Sequence, residues 1–222
     1  MISLQNVTFQ YREDGFTLDV PHLEIKAGSK TAVVGPSGSG KTTFLRLLSG
    51  IAMPGKGNIR IGPTEISSLS DSDRRDFRIS RIGFVFQEFE LIEYLSVLEN
   101  ILLPFYINGS MDLTDEVRDR ATDLARTMHL GELLKRNVGE ISQGEKQRVA
   151  ICRAMLIEPE VILADEPTGN LDPANKERIV ELLFERTTAT KATLVMVTHD
   201  HSLLGGFDEV LDFEQLLKLR EA

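Results

Sequence analysis

Gly35-Pro36-Ser37-Gly38-Ser39-Gly40-Lys41-Thr42-Thr43 is the stretch on which the reading of this chain turns. It follows an apolar run, Thr31-Ala32-Val33-Val34, and precedes Phe44-Leu45-Arg46-Leu47-Leu48. That context predicts a buried strand, a glycine loop and a helix. Two glycines five apart, then Lys and Thr, fit the phosphate-binding loop pattern. Composition alone would yield it in a chain this long about one time in a hundred. Glycines let successive N–H groups turn inward and leave room for phosphate oxygens. The helix behind them offers its positive end to the same anion. Lys41 is expected to reach the β- and γ-phosphates, Thr42 to ligate Mg²⁺ and Thr43 to bond the α-phosphate.

The flanks read as an α/β protein. Residues 1–30 alternate apolar and polar, with breaks at Asp14-Gly15, Pro21 and Ala27-Gly28, which predicts short antiparallel strands. Asn58–Gly62, Arg81–Phe86, Val161–Asp165, Thr193–Thr198 and Asp208–Leu211 are further strand candidates, with a closing helix over Phe213–Arg220. Val161–Asp165 and Thr193–Thr198 carry unbroken apolar runs, Val161–Ala164 and Leu194–Val197, as parallel strands buried on both faces do. Residues 88–157 change character, and after Ser142-Gln143-Gly144 a helical stretch runs toward Met155. Leu113, Val117, Ala121, Leu124 and Met128 recur at helical spacing, with charges filling the other face.

Bulk properties narrow the class. The chain has 222 residues, 41% hydrophobic and 27% charged, and a net charge of −9, the profile of an ordinary globular protein. The acidic balance disfavours nucleic acid as a partner. Cys152 is the sole cysteine, so no internal disulfide forms and a reducing compartment is expected; on a helix it reads as packing. The N-terminus lacks a signal-peptide pattern, and no run approaches ~18 apolar residues. A membrane role would therefore need a partner.

Four further residue sets carry chemistry. Asp165 and Glu166 end an apolar strand, where open α/β sheets bind their ligands. Asp165 would hold the metal, and Glu166 would act as general base on the attacking water. Gln87 ends another strand and would contact both metal and water, or else be merely solvated. His199 follows a third strand and is a candidate γ-phosphate contact. Ser142 and Gly144 open a helix, either as a second anion site or as a simple cap.

In order and spacing these motifs resemble the ATP-binding cassette (ABC) ATPases over nearly the whole chain. Gly35 to Thr42, with Pro36, Ser37 and Ser39, is similar to the Walker A loop, and Gln87 to the Q-loop glutamine. Ser142-Gln143-Gly144-Glu145 is similar to the family signature, with Gln143 in place of a glycine and Glu145 in place of a glutamine. Asp165 and Glu166 resemble Walker B and its catalytic glutamate, Asn170-Leu171-Asp172 the D-loop, and His199 the switch histidine. Tyr11 stands where the family stacks an aromatic on adenine, with edge-strand packing the alternative.

The resemblance implies an α/β P-loop NTPase fold. Residues 1–87 and 158–222 would form the nucleotide-binding core with an N-terminal antiparallel β subdomain, and 88–157 an inserted helical subdomain. It implies a Mg²⁺-dependent ATPase in which two copies pack head to tail. Each ATP would lie between one copy's loop and the partner copy's Ser142, Gly144 and Asp172. Phe84–Leu91 and Leu95–Ile101 resemble the lipoprotein-releasing, macrolide-export and cell-division group. The resemblance thus implies a membrane subunit docking near residues 88–105 (Phe89, Leu91, Ile92, Tyr94, Leu95) at the cytoplasmic face. The other readings are aromatics that only pack the subdomain, and an ATP-gated assembly factor in place of a transporter.

Overall fold

The computed structural model describes residues 1–11, 16–169, 171 and 173–218. β1 (Ile2–Gln10), β2 (Thr17–Ile25) and β3 (Lys30–Val34) lead to α1 (Lys41–Leu48). β4 (Lys56–Ile61), β5 (Thr64–Glu65), α2 (Asp71–Arg81) and β6 (Ile82–Val85) follow. The helical stretch contains α3 (Val97–Ile107), α4 (Asp115–Thr127) and α5 (Gln143–Leu156). β7 (Val161–Asp165), α6 (Pro173–Thr190), β8 (Thr193–Val197), β9 (Glu209–Asp212) and α7 (Phe213–Lys218) complete the order.

Two sheets form. The antiparallel one runs β2-β1-β4-β5 and the parallel one β6-β7-β8-β3-β9. In β7, Val161 and Leu163 face a core shared with α1 and the antiparallel sheet. Ile162 and Ala164 face a core shared with α3, α4, α5 and α6. Both faces of the parallel sheet are covered, which is why its strands lack alternation.

Pro21 does not break β2. The strand runs through it, on the outer edge of its sheet, where a missing N–H leaves no ladder bond unmade. Pairing skips from Gln5↔His22 to Val7↔Val20, and Asn6 between them has φ 50°. α2 is absent from the sequence reading because it buries no residue and so shows no apolar period. Its signal is local: Asp73 N donates to the Ser70 hydroxyl at 3.2 Å, a helix N-cap. The helix predicted near 112–128 is α4, capped by the Thr114 hydroxyl.

Candidate active site

The topology assembles the site at one edge. In register, Val85 lies beside Ala164, Asp165 beside Val197, and Val33 beside Val197. The carboxyl ends of β6, β7, β8 and β3 therefore align. Gln87, Asp165-Glu166, His199 and the loop 35–40 all issue from that edge, where open α/β sheets bind ligands.

Gly38 and Gly40 have φ of 77° and 102°, in the region that favours glycine. The Lys41 side chain, 6% exposed, curls back over the loop. Its ammonium donates to Gly35 O at 2.8 Å and Pro36 O at 2.7 Å. Ser39 Oγ is buried with no hydrogen-bond partner, so a hydroxyl stands uncommitted inside the loop.

A cleft of about 390 Å³ opens over this loop. Ser37, Gly38, Gly40, Lys41, Thr42 and Thr43 form one wall. Gln87, Asp165 and Glu166 form the other, with Tyr11 and Phe16 at the rim. Asp165 is 8% exposed. Burial pushes its carboxyl above the usual range, the Thr42 hydroxyl bond pulls it down, and the charge of Glu166 raises it again. Thr42, Asp165 and Gln87 bring hard oxygen donors to the cleft, and the Thr42–Asp165 hydrogen bond joins its two walls. Among the described residues no cluster of three or more His, Cys, Asp or Glu side chains could hold a metal. An ion bound here would need oxygens from a ligand, the Mg²⁺–phosphate pattern.

Glu166 has φ 43°, and its N–H donates to Val197 O at 3.0 Å. Its Oε2 lies 2.9 Å from His199 Nδ1. Gly169 N in turn donates to Glu166 O at 3.0 Å. The carboxylate is thereby fixed between two strand ends.

Tyr11 packs on the end of its strand and also lies at the cleft. Its ring meets Phe9 edge-on at 4.7 Å, and its hydroxyl lies 3.2 Å from Thr43 Oγ1. That bond lowers its pKa. Phe16 was not singled out in the sequence. Its ring rests on Gly40, where an added Cβ would come within 2.2 Å of Cζ. A second aromatic five residues after Tyr11 was the available signal.

Ser142 and Gly144 do not line this cleft among the described residues. Ser142 caps α5. Glu145 Oε2 accepts from Ser142 N and from its hydroxyl, both at 2.7 Å, and the Ser142 bonds hold the Glu145 carboxyl below its usual pKa. The capping alternative is thus realised within the chain. Asn170 and Asp172 lie outside the described residues. Cys152 is fully buried, and burial pushes its thiol up to about 12, which makes it inert packing.

The stretch expected to meet a partner is sorted differently by the fold. Phe89 is 8% exposed and Leu91 packs on the helical core, whereas Tyr94 is 81% exposed. The chain coils tightly at Phe89 and Glu90, both with positive φ, and that ring goes inside. A separate apolar groove of about 250 Å³ is lined by Phe84, Phe86, Leu103, Pro104, Ile107 and Ile157, with Arg78 and Arg153 beside them.

Comparisons with known proteins show the family. The ABC transporter family profile matches residues 18–169. The lipoprotein-releasing system ATP-binding protein LolD of Chromohalobacter salexigens is 37% identical over 218 residues, covering 97% of this chain and 91% of that one. LolD of Bacteroides fragilis is 42% identical over 181 residues, covering 82% and 83%. The ATP-binding cassette MJ0796, solved as a dimer in a post-hydrolysis state with ADP and Pi, superposes with a TM-score of 0.84. It is 34% identical, covering 96% of this chain and 95% of that one. A phosphate loop and strand-end acids on one cleft, with similarity over nearly the full length, place this chain in the ABC transporter family as an ATP-binding, ATP-hydrolysing subunit.

Proposed function

We propose that two copies of this chain clamp two ATP molecules and drive a separate membrane subunit of the lipoprotein-releasing type from the cytoplasmic face. Within the chain the helical arm would be residues 88–157. The observation that carries the clamp is the separation of the two anion-binding halves. Among the described residues the cleft around Lys41 contains no signature residue, so Ser142 and Gly144 would complete it from a second copy, with Asp172 beside them as the family resemblance implies. The dimeric form of the similar cassette MJ0796 supports this.

In the bound state the loop amides and Ser39 Oγ would take phosphate oxygens, and Lys41 would exchange the Gly35 and Pro36 carbonyls for the β- and γ-phosphates. Tyr11, with Phe16, would meet the base. Thr42, Asp165 and Gln87 would hold Mg²⁺, which when bound neutralises charge on the β- and γ-oxygens. Glu166 would accept the proton of the attacking water as it closes on the γ-phosphorus. His199 would hold Glu166 through the 2.9 Å contact and reach the γ-phosphate.

Specific activity tests the clamp. It should rise with enzyme concentration until dimers predominate and then level off. A rate per subunit that stays flat down to concentrations where sedimentation shows only monomers would overturn the shared site.

The groove between α3 and β6 is the proposed seat of the membrane subunit. Among the described residues no helix is long and apolar enough to cross a membrane, so attachment would use such a surface. Ile107 is 63% exposed on its rim. Ile107→Glu should abolish co-purification with the membrane subunit while basal ATPase stays within about twofold of wild type, as expected of distant sites. Undiminished co-purification would place the contact elsewhere.

A further inference from the structure

The chain leaves β6 by a strained path. Phe89 and Glu90 are consecutive non-glycine residues with φ of 62° and 50°, where Cβ crowds the backbone. Phe89 N donates to Phe86 O at 3.1 Å and Glu90 N to Glu88 O at 2.7 Å. Bonds that local are available to relaxed turns as well. A strained pair persists only where its surroundings over-determine it.

One side chain does so. Arg153 Nη2 donates to Phe89 O at 2.6 Å, and Nη1 donates to Glu90 O. The guanidinium fork spans two successive carbonyls, a match that a single ammonium cannot reproduce. Arg153 is 8% exposed. Burial pulls its pKa down to about 10, against the charge of Glu90. A cation so placed is costly unless its donors are satisfied, so the bonds are held from both sides.

The position of Arg153 gives these bonds a consequence. It lies on α5, which Ser142 caps and whose first turn carries Gly144. Gln87, in the ATP cleft, is two residues before Phe89. Arg153 and Glu90 both line the apolar groove. Farther along, buried Asn100 donates to Ile92 O at 3.0 Å and accepts from Ile92 N at 2.8 Å. The loop beyond Leu91 is therefore fixed without Arg153, whose hold is confined to the turn just after Gln87.

We propose that Arg153 is a positioning residue for Gln87, a strut from the signature helix that keeps residues 88–90 coiled and so sets Gln87 at the cleft and Glu90 at the groove. The strut rests on the role proposed above for Gln87. Arg153 touches neither the phosphate loop nor Lys41, so its loss acts on turnover and spares ATP binding.

Arg153→Lys and Arg153→Met in the full chain test this. Lys keeps the charge without the fork, and Met keeps the length with no donor and no buried charge. Turnover should fall roughly tenfold in the Met variant and less in the Lys variant, with the ATP dissociation constant within about twofold of wild type. Amide hydrogen exchange should quicken at residues 88–91 and not along α5. Loss of affinity and turnover together, with faster exchange throughout α5, would show a merely structural residue and overturn the proposal. Wild-type turnover with unchanged exchange at 88–91 would overturn it too. Where the Met variant does not fold, the Lys variant decides by the same readings. Should Gln87→Ala itself leave turnover unchanged, the role of Gln87 fails, while exchange at 88–91 still reports on the strut.

Discussion

Glu166→Gln should slow ATP turnover by about 10²–10⁴-fold, the usual weight of a general base, and leave ATP binding intact. The substitution keeps the shape of the side chain and removes its capacity to take a proton. The carbonyl of Gln can still accept from His199 Nδ1, so the 2.9 Å contact survives. The backbone at this position is held independently, through Glu166 N to Val197 O and Gly169 N to Glu166 O. Lys41 and the loop are untouched. The variant should therefore bind nucleotide normally, close into the ATP-bound dimer and stay closed, if product formation is the opening step of the proposed clamp. Turnover at saturating Mg-ATP, nucleotide affinity and sedimentation with ATP measure the three parts. Near-wild-type turnover would remove Glu166 as the base. Monomers at saturating ATP would remove product formation as the opening step.

What the sequence made legible follows from how locally each feature is encoded. The phosphate loop is contiguous because one turn of backbone does the work, and Gly38 and Gly40 hold the positive φ it requires. Asp165, Gln87 and His199 were legible because apolar runs mark strands, and parallel strands end on one edge. The strands' neighbours were not readable. Nothing in Arg81–Phe86 says that β6 lies beside β7, yet that pairing brings Gln87 to Asp165. Ser142 and Gly144 read equally well as a cap, and within one chain they are one. Only the family resemblance, and the dimeric relative, suggested a second use. Phe89 misled because an aromatic in a polar loop reads as surface, whereas the fold coils the chain and buries it. Arg153 was invisible, since its meaning lies in two carbonyls more than sixty residues away.

Lys41→Ala should act on binding. The ammonium now donates to two neutral carbonyls at 2.8 and 2.7 Å. With ATP bound it would donate to charged phosphate oxygens, and a hydrogen bond to a charged group contributes roughly 1.5–3 kcal/mol. Loss of that exchange weakens ATP binding by about 10²-fold. Thermal unfolding makes the difference visible. At a concentration a hundred times the wild-type dissociation constant, ATP stabilises the folded state by about 2.7 kcal/mol. The alanine variant, then near its own dissociation constant, gains about 0.4 kcal/mol. For a domain of this size that is a shift of about 5–11 °C against about 1 °C. The nucleotide-free midpoint should also fall, because the same substitution deletes both carbonyl bonds, so the shift and not the midpoint is the measure. Glu166→Gln should show at least the full wild-type shift, which separates binding from chemistry with one instrument. An undiminished shift in Lys41→Ala would mean that Lys41 stays on Gly35 and Pro36 when ATP arrives. The loop amides and Ser39 would then hold the phosphates without it.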